Sequence, residues 1–293
     1  MSNKFSGRNL ELADYIIIFF ISLLCLTCIL PFLHVAAKSL SSHRAVIGQI
    51  VSFWPVEFTL DSYTRVLRSS LLMPQIGFTA LITILQTVLS LLVTALCAFP
   101  LSRRYLPGRF PITMFIMFTM YFSAGLIPAY LLYNRLHLLD TMWVLILPGA
   151  FSAFNMLVMR TYFMNSIPDS LEESALMDGA GPYRIFFQIW LPLSKPVLAT
   201  VALWVAVGRW NGFGDAMYFT RSRSLQPIQL LLYNMILNAR PTEPLTGADT
   251  GFTTTPEALQ AAVVMFATIP ILLVYPFLQK YFVKGIMLGA IKQ

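Results

Sequence analysis

The chain has 293 residues, of which 57% are apolar and 11% charged, with a formal net charge of +7. A soluble domain carries about 25% charged residues, so this composition and a mean hydropathy of +0.70 exclude a pair of soluble domains. An aromatic content of 14% excludes a disordered chain. Three cysteines, Cys25, Cys28 and Cys97, are too few for a disulfide framework or a zinc site, and Cys25 and Cys28, inside an apolar run, are expected to be core packing. What remains is an all-α integral membrane protein.

A helix needs about 20 mostly apolar residues to cross the hydrocarbon core. Stretches free of Asp, Glu, Lys and Arg mark the candidates in chain order. Tyr15 to Ala37 is the first, too long in its apolar core for a cleaved signal peptide. Ser69 to Ser102 is the second, with a loop expected around Pro74. Phe110 to Asn134 and Thr141 to Met159 are the third and fourth. Pro196 to Gly208, continued past Arg209 to Phe219, is the fifth, and Ala258 to Gln279 the sixth. Among these, spans two, three, four and six hold no Asp, Glu or His.

Lys and Arg in short loops set orientation. The loop from Ser102 to Phe110 carries Arg103, Arg104 and Arg109 without an acid, and Lys280, Lys284 and Lys292 follow the last span. Arg135 in the next short loop is balanced by Asp140. This places both termini in the cytoplasm. The positive charge is then a topology signal, and no soluble domain offers a basic face for nucleic acid. Lys38 to Leu72 and Thr220 to Pro256 lie outside. The second of these, with Pro241, Pro244, Gly247, Gly251 and a Thr253-Thr254-Thr255 run, reads as irregular loop.

Residues 160–195 form a long cytoplasmic loop. Asp169 or Ser170 can cap a helix there, with Glu172 and Glu173 in its first turn, where the helix dipole favours negative charge. Gly179 to Gly181 breaks it, and Pro182 suits the first position of a second helix that ends at Pro192. Ile185 with Ile189, and Phe186 with Trp190, stack at i, i+4. Such an apolar surface is buried against something: its own membrane helices, the lipid interface, or a partner.

Glu173-Ser174-Ala175, then Gly179, Ile189 and Leu191-Pro192, resembles the EAA loop of membrane subunits of bacterial ABC importers, departing only in Ser174 where the family usually has Ala. Pro31-Phe32, Gly125-Leu126-Ile127-Pro128, Leu147-Pro148, Trp210-Asn211 and the string from Tyr275 to Gly285 resemble the carbohydrate branch, and nearly the whole chain is covered. With Leu225-Gln226-Pro227-Ile228-Gln229, the closing string resembles importers of oligosaccharides released from polysaccharides. Within that group the chain is most like the smaller membrane subunit of alginate importers, and importers of pectin-derived or neutral oligosaccharides share the same strings. The resemblance implies a type I ABC importer permease: six transmembrane helices in a single domain, 1–293, with a cytoplasmic coupling helix in the loop 160–195. It implies that Glu172, Glu173, Ala175, Asp178, Gly179 and Arg184 dock an ATPase subunit. A second homologous permease, two ATP-binding subunits, an extracytoplasmic solute-binding protein and a bacterial cytoplasmic membrane complete the implied assembly.

The chain lacks a P-loop, and indeed any Gly-Lys dipeptide. ATP is therefore expected on the partner subunits, with no cofactor, metal or catalytic group here. His34, His43 and His137 are isolated, near membrane edges. Arg209 and Asp215, six positions apart in span five, are expected on different sides of one helix. Arg209, Trp210, Asn211, Phe213, Asp215 and Tyr218 are candidates either for the translocation path, with Arg209 suited to an anionic sugar, or for polar contacts with the partner permease. An ion-coupled carrier places Asp, Glu or His inside its spans, which the clean spans argue against. A membrane scaffold without cargo is a further alternative.

Overall fold

The computed structural model describes residues 12–238 and 255–290, with side chains described for these except 169, 238 and 274–290. Charge-free apolar runs form its long helices, and no strand occurs among the described residues. In chain order the helices are α1 (Leu12–Ser39), α2 (His43–Ile47), α3 (Asp61–Arg68), α4 (Leu72–Ser102), α5 (Arg109–Tyr121), α6 (Leu126–Arg135), α7 (Trp143–Ile146) and α8 (Ala153–Ser166). Then come α9 (Asp169–Met177), α10 (Pro182–Ile185), a π turn (Phe186–Trp190), α11 (Leu191–Leu193), α12 (Lys195–Asn211), α13 (Gly214–Phe219), α14 (Ile228–Asn238) and α15 (Pro256–Ala290).

Three segments among the described residues are long and apolar enough to cross a membrane: Leu12–Ser39, Leu72–Ser102 and Pro256–Leu273. They match the first, second and sixth expected spans. The middle spans are not single helices. The third breaks between α5 and α6, which meet at 114°. Gly125 sits at that break with φ 86° and ψ 179°, a conformation essentially restricted to glycine. The fourth breaks after α7 at Pro148-Gly149, and Ser152 restarts the helix by accepting a hydrogen bond from Asn155 N at 3.4 Å. The fifth ends at Asn211, where Gly212 is extended, and α13 begins separately. Counting each bent pair as one span gives up to five.

Pro74 does not mark a loop: it lies in the first turn of α4, where its missing N–H has no intrahelical acceptor to lose. The segment after Thr220 is not all irregular, because α14 occupies part of it. Residues 239–254, which carry the expected Pro-, Gly- and Thr-rich loop, lie outside the described residues. Cys25 and Cys28 are exposed on α1 rather than packed in a core.

The chain divides into two compact units. One comprises Met1–Ser69 and Met235–Phe266. Its small core of Ala37, Ala45, Val46, Val51 and Ala258 takes in only the last turn of α1, whose apolar stretch is unburied. The other comprises Ser70–Asn234 and Ala267–Gln293, and in it α4 packs on α8 and α12. The packed face of α4 is polar: Gln75, Thr79, Thr83, Gln86, Ser90 and Thr94 recur at helical spacing and are all buried. Small polar side chains let membrane helices approach closely. Gln86 reaches Gly149 O at 3.4 Å, and Thr79 Oγ1 accepts from Ile228 N at 2.9 Å. At the far end of α4, Ala95, Ala98 and Leu101 join Met156, Met159 and Phe163 of α8, Val197, Val201 and Val205 of α12, and residues of the loop between them.

Candidate functional site

The loop from Ile167 to Ser194 is two short helical pieces hinged on glycine. Pro168 occupies the cap position of α9 and has no side-chain cap to offer, so Ser170 does not play the expected role, and the Asp169 side chain lies outside those described. The other end closes in a Schellman motif. Gly179 N donates to Leu176 O at 3.0 Å and Ala180 N to Ala175 O at 2.9 Å, and Gly179 supplies the required positive φ of 75°. Pro182 is the first residue of α10, as expected.

The second piece does not end at Pro192. A Pro inside a helix lacks a donor and crowds the carbonyl four residues earlier. The chain accommodates this by widening into the π turn, where Leu191 N reaches Phe186 O, and continues to Leu193 before bending by 78° into α12. The wider turn changes the face. Ile185, Phe186 and Trp190 are buried to within 2% exposure, while Ile189 is only partly buried. The apolar side therefore lies under the chain's own helices, against the cluster from α4, α8 and α12. Phe163 and Phe99 meet the Trp190 ring edge-on, at 5.4 Å and 5.5 Å.

The opposite side of the loop is open. Glu173, Asp178, Gly179 and Arg184 are exposed, as are Met177 at 89% and Tyr183 at 78%. Arg184 Nε donates to Gln188 Oε1 at 3.0 Å along this side. Two of the residues expected there are not. Ala175 is buried in the core, and Glu172 pairs with Arg103, with side-chain exposures of 9% and 5%. Successive helical residues point about 100° apart, so Glu172 faces the chain while Glu173 faces away. Tyr105 Oη donates to Glu172 Oε1 at 3.2 Å. Desolvation, then the Glu172 charge, raises the Tyr105 pKa above its ordinary value.

The second candidate cluster is rearranged by the break at Gly212. Arg209 and Asp215 do not face different sides of one helix: the chain folds back, and the guanidinium engages both carboxylate oxygens. Arg209 also donates to Leu145 O at 3.0 Å and Gly212 O at 2.9 Å. Its side chain is 4% exposed. Its donors therefore serve to hold α7, α12 and α13 together. Trp210 is buried and donates to Ala267 O at 2.9 Å, while its ring lines a cavity of about 370 Å³ with Thr83, Thr87, Leu203, Val207 and Pro270. Among the described residues, no charged one lines that cavity. Phe213 stacks on Tyr233 at 4.8 Å. Asn211 and Tyr218 are exposed, and Asn211 Nδ2 donates to Val207 O at 3.0 Å.

Residues 79–288 match the family model of the binding-protein-dependent transport system inner membrane component. The chain belongs to this family. It is an ABC importer permease, an integral membrane protein and not an enzyme. The permease is 39% identical to the polygalacturonan/rhamnogalacturonan transport system permease protein YtcP of Bacillus subtilis (strain 168), over 96% of this chain and 99% of that protein. It is 37% identical to protein LplC of the same organism, over 100% of this chain and 98% of the other. Among solved structures, a chain of a bacterial ABC transporter involved in the import of the acidic polysaccharide alginate superposes with a TM-score of 0.86. That pair is 34% identical, over 94% of this chain and 100% of the other.

Sequence reasoning missed three residues of this permease. Arg103 served only as an orientation signal, Tyr105 went unremarked, and Asp140 was counted as a counter-charge. Asp140 is a clamp: Oδ1 accepts from Arg221 N at 2.9 Å and Ser222 N at 2.8 Å, and Oδ2 from Ser222 Oγ at 2.6 Å. These bonds, that from the Ser222 hydroxyl first, hold its carboxyl below the ordinary value. Asp140 also holds a positive φ of 54°, which Asp tolerates better than most residues.

Proposed function

We propose that this permease forms half of a heterodimeric translocation path for oligosaccharides, with acidic, uronate-type chains as cargo. It crosses the bacterial cytoplasmic membrane six times, with both termini in the cytoplasm. A second homologous permease completes the path, an extracytoplasmic solute-binding protein delivers the sugar, and two partner subunits bind ATP. This chain carries no cofactor. The observation that supports the coupling role is the two-sided loop: Ile185, Phe186 and Trp190 are anchored under α4, α8 and α12, and Glu173, Asp178, Gly179 and Arg184 are left outward. That is the form of a lever whose outer side meets an ATPase subunit.

Support for acidic cargo comes from the relatives, a chain of an alginate importer and a polygalacturonan/rhamnogalacturonan permease, whose polymers carry uronate carboxylates. The outer segments add Lys38, Arg44, Arg65, Arg68, Arg221, Arg223 and Arg240 against Glu57, Asp61, Glu243 and Asp249. Arg209 adds nothing to this preference, since its two terminal nitrogens are engaged by Asp215 and two carbonyls and its side chain is 4% exposed. The test is ATP hydrolysis by the assembled complex in lipid, stimulated by binding protein loaded with uronate or with neutral oligosaccharide. Stimulation by the uronate form alone supports the full reading. Equal stimulation makes the cargo neutral or unselective, and no stimulation by either removes the importer role.

A further inference from the structure

We propose that Arg103 is a positioning residue for coupling: its buried pair with Glu172, seated on Trp190, rivets the loop to the cytoplasmic end of α4. The inference rests on the reading of the loop's outer side as the ATPase contact. Arg103 N donates to Pro100 O at 3.1 Å, so its backbone is held to the last turn of α4. Its side chain leaves that helix for the loop. The guanidinium lies 3.7 Å from the Trp190 ring centroid and 4.5 Å from that of Phe99, and pairs with Glu172 of α9. One side chain thus ties α4 to both helical pieces of the loop, the first through a charge and the second through an aromatic face.

Neighbouring contacts brace the tie. Tyr105 donates to the same carboxylate. Phe99, one turn before Arg103 on α4, packs against Phe186 at 5.0 Å as well as against Trp190. Arg160 Nε donates to Leu101 O at 2.8 Å, joining α8 to the same end of α4. Salt screens exposed pairs but much less so buried ones, so this tie holds at cellular ionic strength. An apolar pair of the same volume would stabilise the fold at least as well. What a buried ion pair adds is a single fixed arrangement, the property needed to pass displacement from loop to helix. α4 in turn lines the Trp210 cavity through Thr83 and Thr87, so motion of α4 reshapes the interior of the permease.

The test uses the complete complex in lipid, with alginate oligosaccharide as cargo and two readouts. The first is sugar transported per ATP hydrolysed. The second is the distance between spin labels at Tyr183 on the loop and Leu96 on the membrane-exposed side of α4, with and without nucleotide. In the wild type this distance should stay constant with and without nucleotide. Arg103→Gln should lower sugar per ATP about tenfold or more, the scale of one lost charge-assisted tie, and make the distance nucleotide-dependent. Arg103→Lys, which keeps the charge and the ring contact, should recover most of both. If Arg103→Gln fails to reach the membrane, the isosteric Glu172→Gln carries the same comparison. Wild-type coupling with an unchanged distance in both neutralised variants would overturn the rivet. A wild-type complex that binding protein does not stimulate would overturn the coupling reading instead, and the label distance with nucleotide alone would still judge the tie.

Discussion

Gly179 offers the most quantitative test of the loop. Its φ of 75° lies in the left-handed region, and a Cβ built there meets no atom within 4 Å. A side chain therefore costs backbone energy and no local clash. That energy is about 1–2 kcal/mol for an ordinary L residue, a factor of about 5–30 in population. Asn visits this region routinely, and Val, branched at Cβ, is the least suited. The expected order of binding-protein-stimulated ATP hydrolysis, at matched membrane levels, is Gly179 and Gly179→Asn together, then Gly179→Ala, then Gly179→Val. If Gly179→Asn were as damaging as Gly179→Val, the glycine would be there to make room for a partner surface. Full activity of Gly179→Val would refute the Schellman hinge as a functional requirement.

Arg209→Gln leaves Asp215 without its partner. Breaking a buried pair costs about 3–5 kcal/mol, and the cost here falls toward the low end because Asp215 is 31% exposed. Expected is a lowered thermal midpoint with equal loss for uronate-loaded and neutral-loaded binding protein; loss with the uronate alone would return Arg209 to the sugar path. Asp140 has a depressed folded pKa, so its contribution is complete above the ordinary carboxylate value and is lost as pH falls through the depressed one. Asp140→Ala should remove that part of the acid dependence of the melting temperature, and an unchanged acid limb would mean the clamp is idle. For topology, Ser102 is a poor reporter because it is buried. In a cysteine-free background Tyr105→Cys should resist impermeant thiol reagents in intact cells and Trp54→Cys should label, both sites being exposed, at 73% and 83%. The reverse pattern would put the loop outside, beyond reach of ATP.

Charge-free length made the first, second and sixth spans readable, since a helix is the only local way to satisfy the backbone in lipid. The same criterion hid the breaks in the middle spans. Gly125, Pro148-Gly149 and Gly212 carry no charge, so they passed unseen although each is a recognised interrupter. Misreading Gly212 led directly to the error at Arg209 and Asp215, because facing directions within one helix were applied across a turn. In the loop, Gly179 and Pro182 were legible because their effects are local. The π turn was not, although Pro192 was the hint: the sequence shows that a helix is obstructed there, not that it widens rather than stops. The Arg103–Glu172 pair had no local signal at all. Nothing in the neighbourhood of either residue distinguishes an arginine that marks topology from one that turns inward onto a tryptophan.

In the proposed mechanism, ATP on partner subunits moves sugar through this chain by way of the loop. Uptake of a labelled uronate oligosaccharide into proteoliposomes holding the complete complex measures it directly, with loaded binding protein outside and ATP inside. Accumulation should require both, survive collapse of proton and sodium gradients, and fall with Arg103→Gln. Uptake that follows an ion gradient without ATP would contradict it.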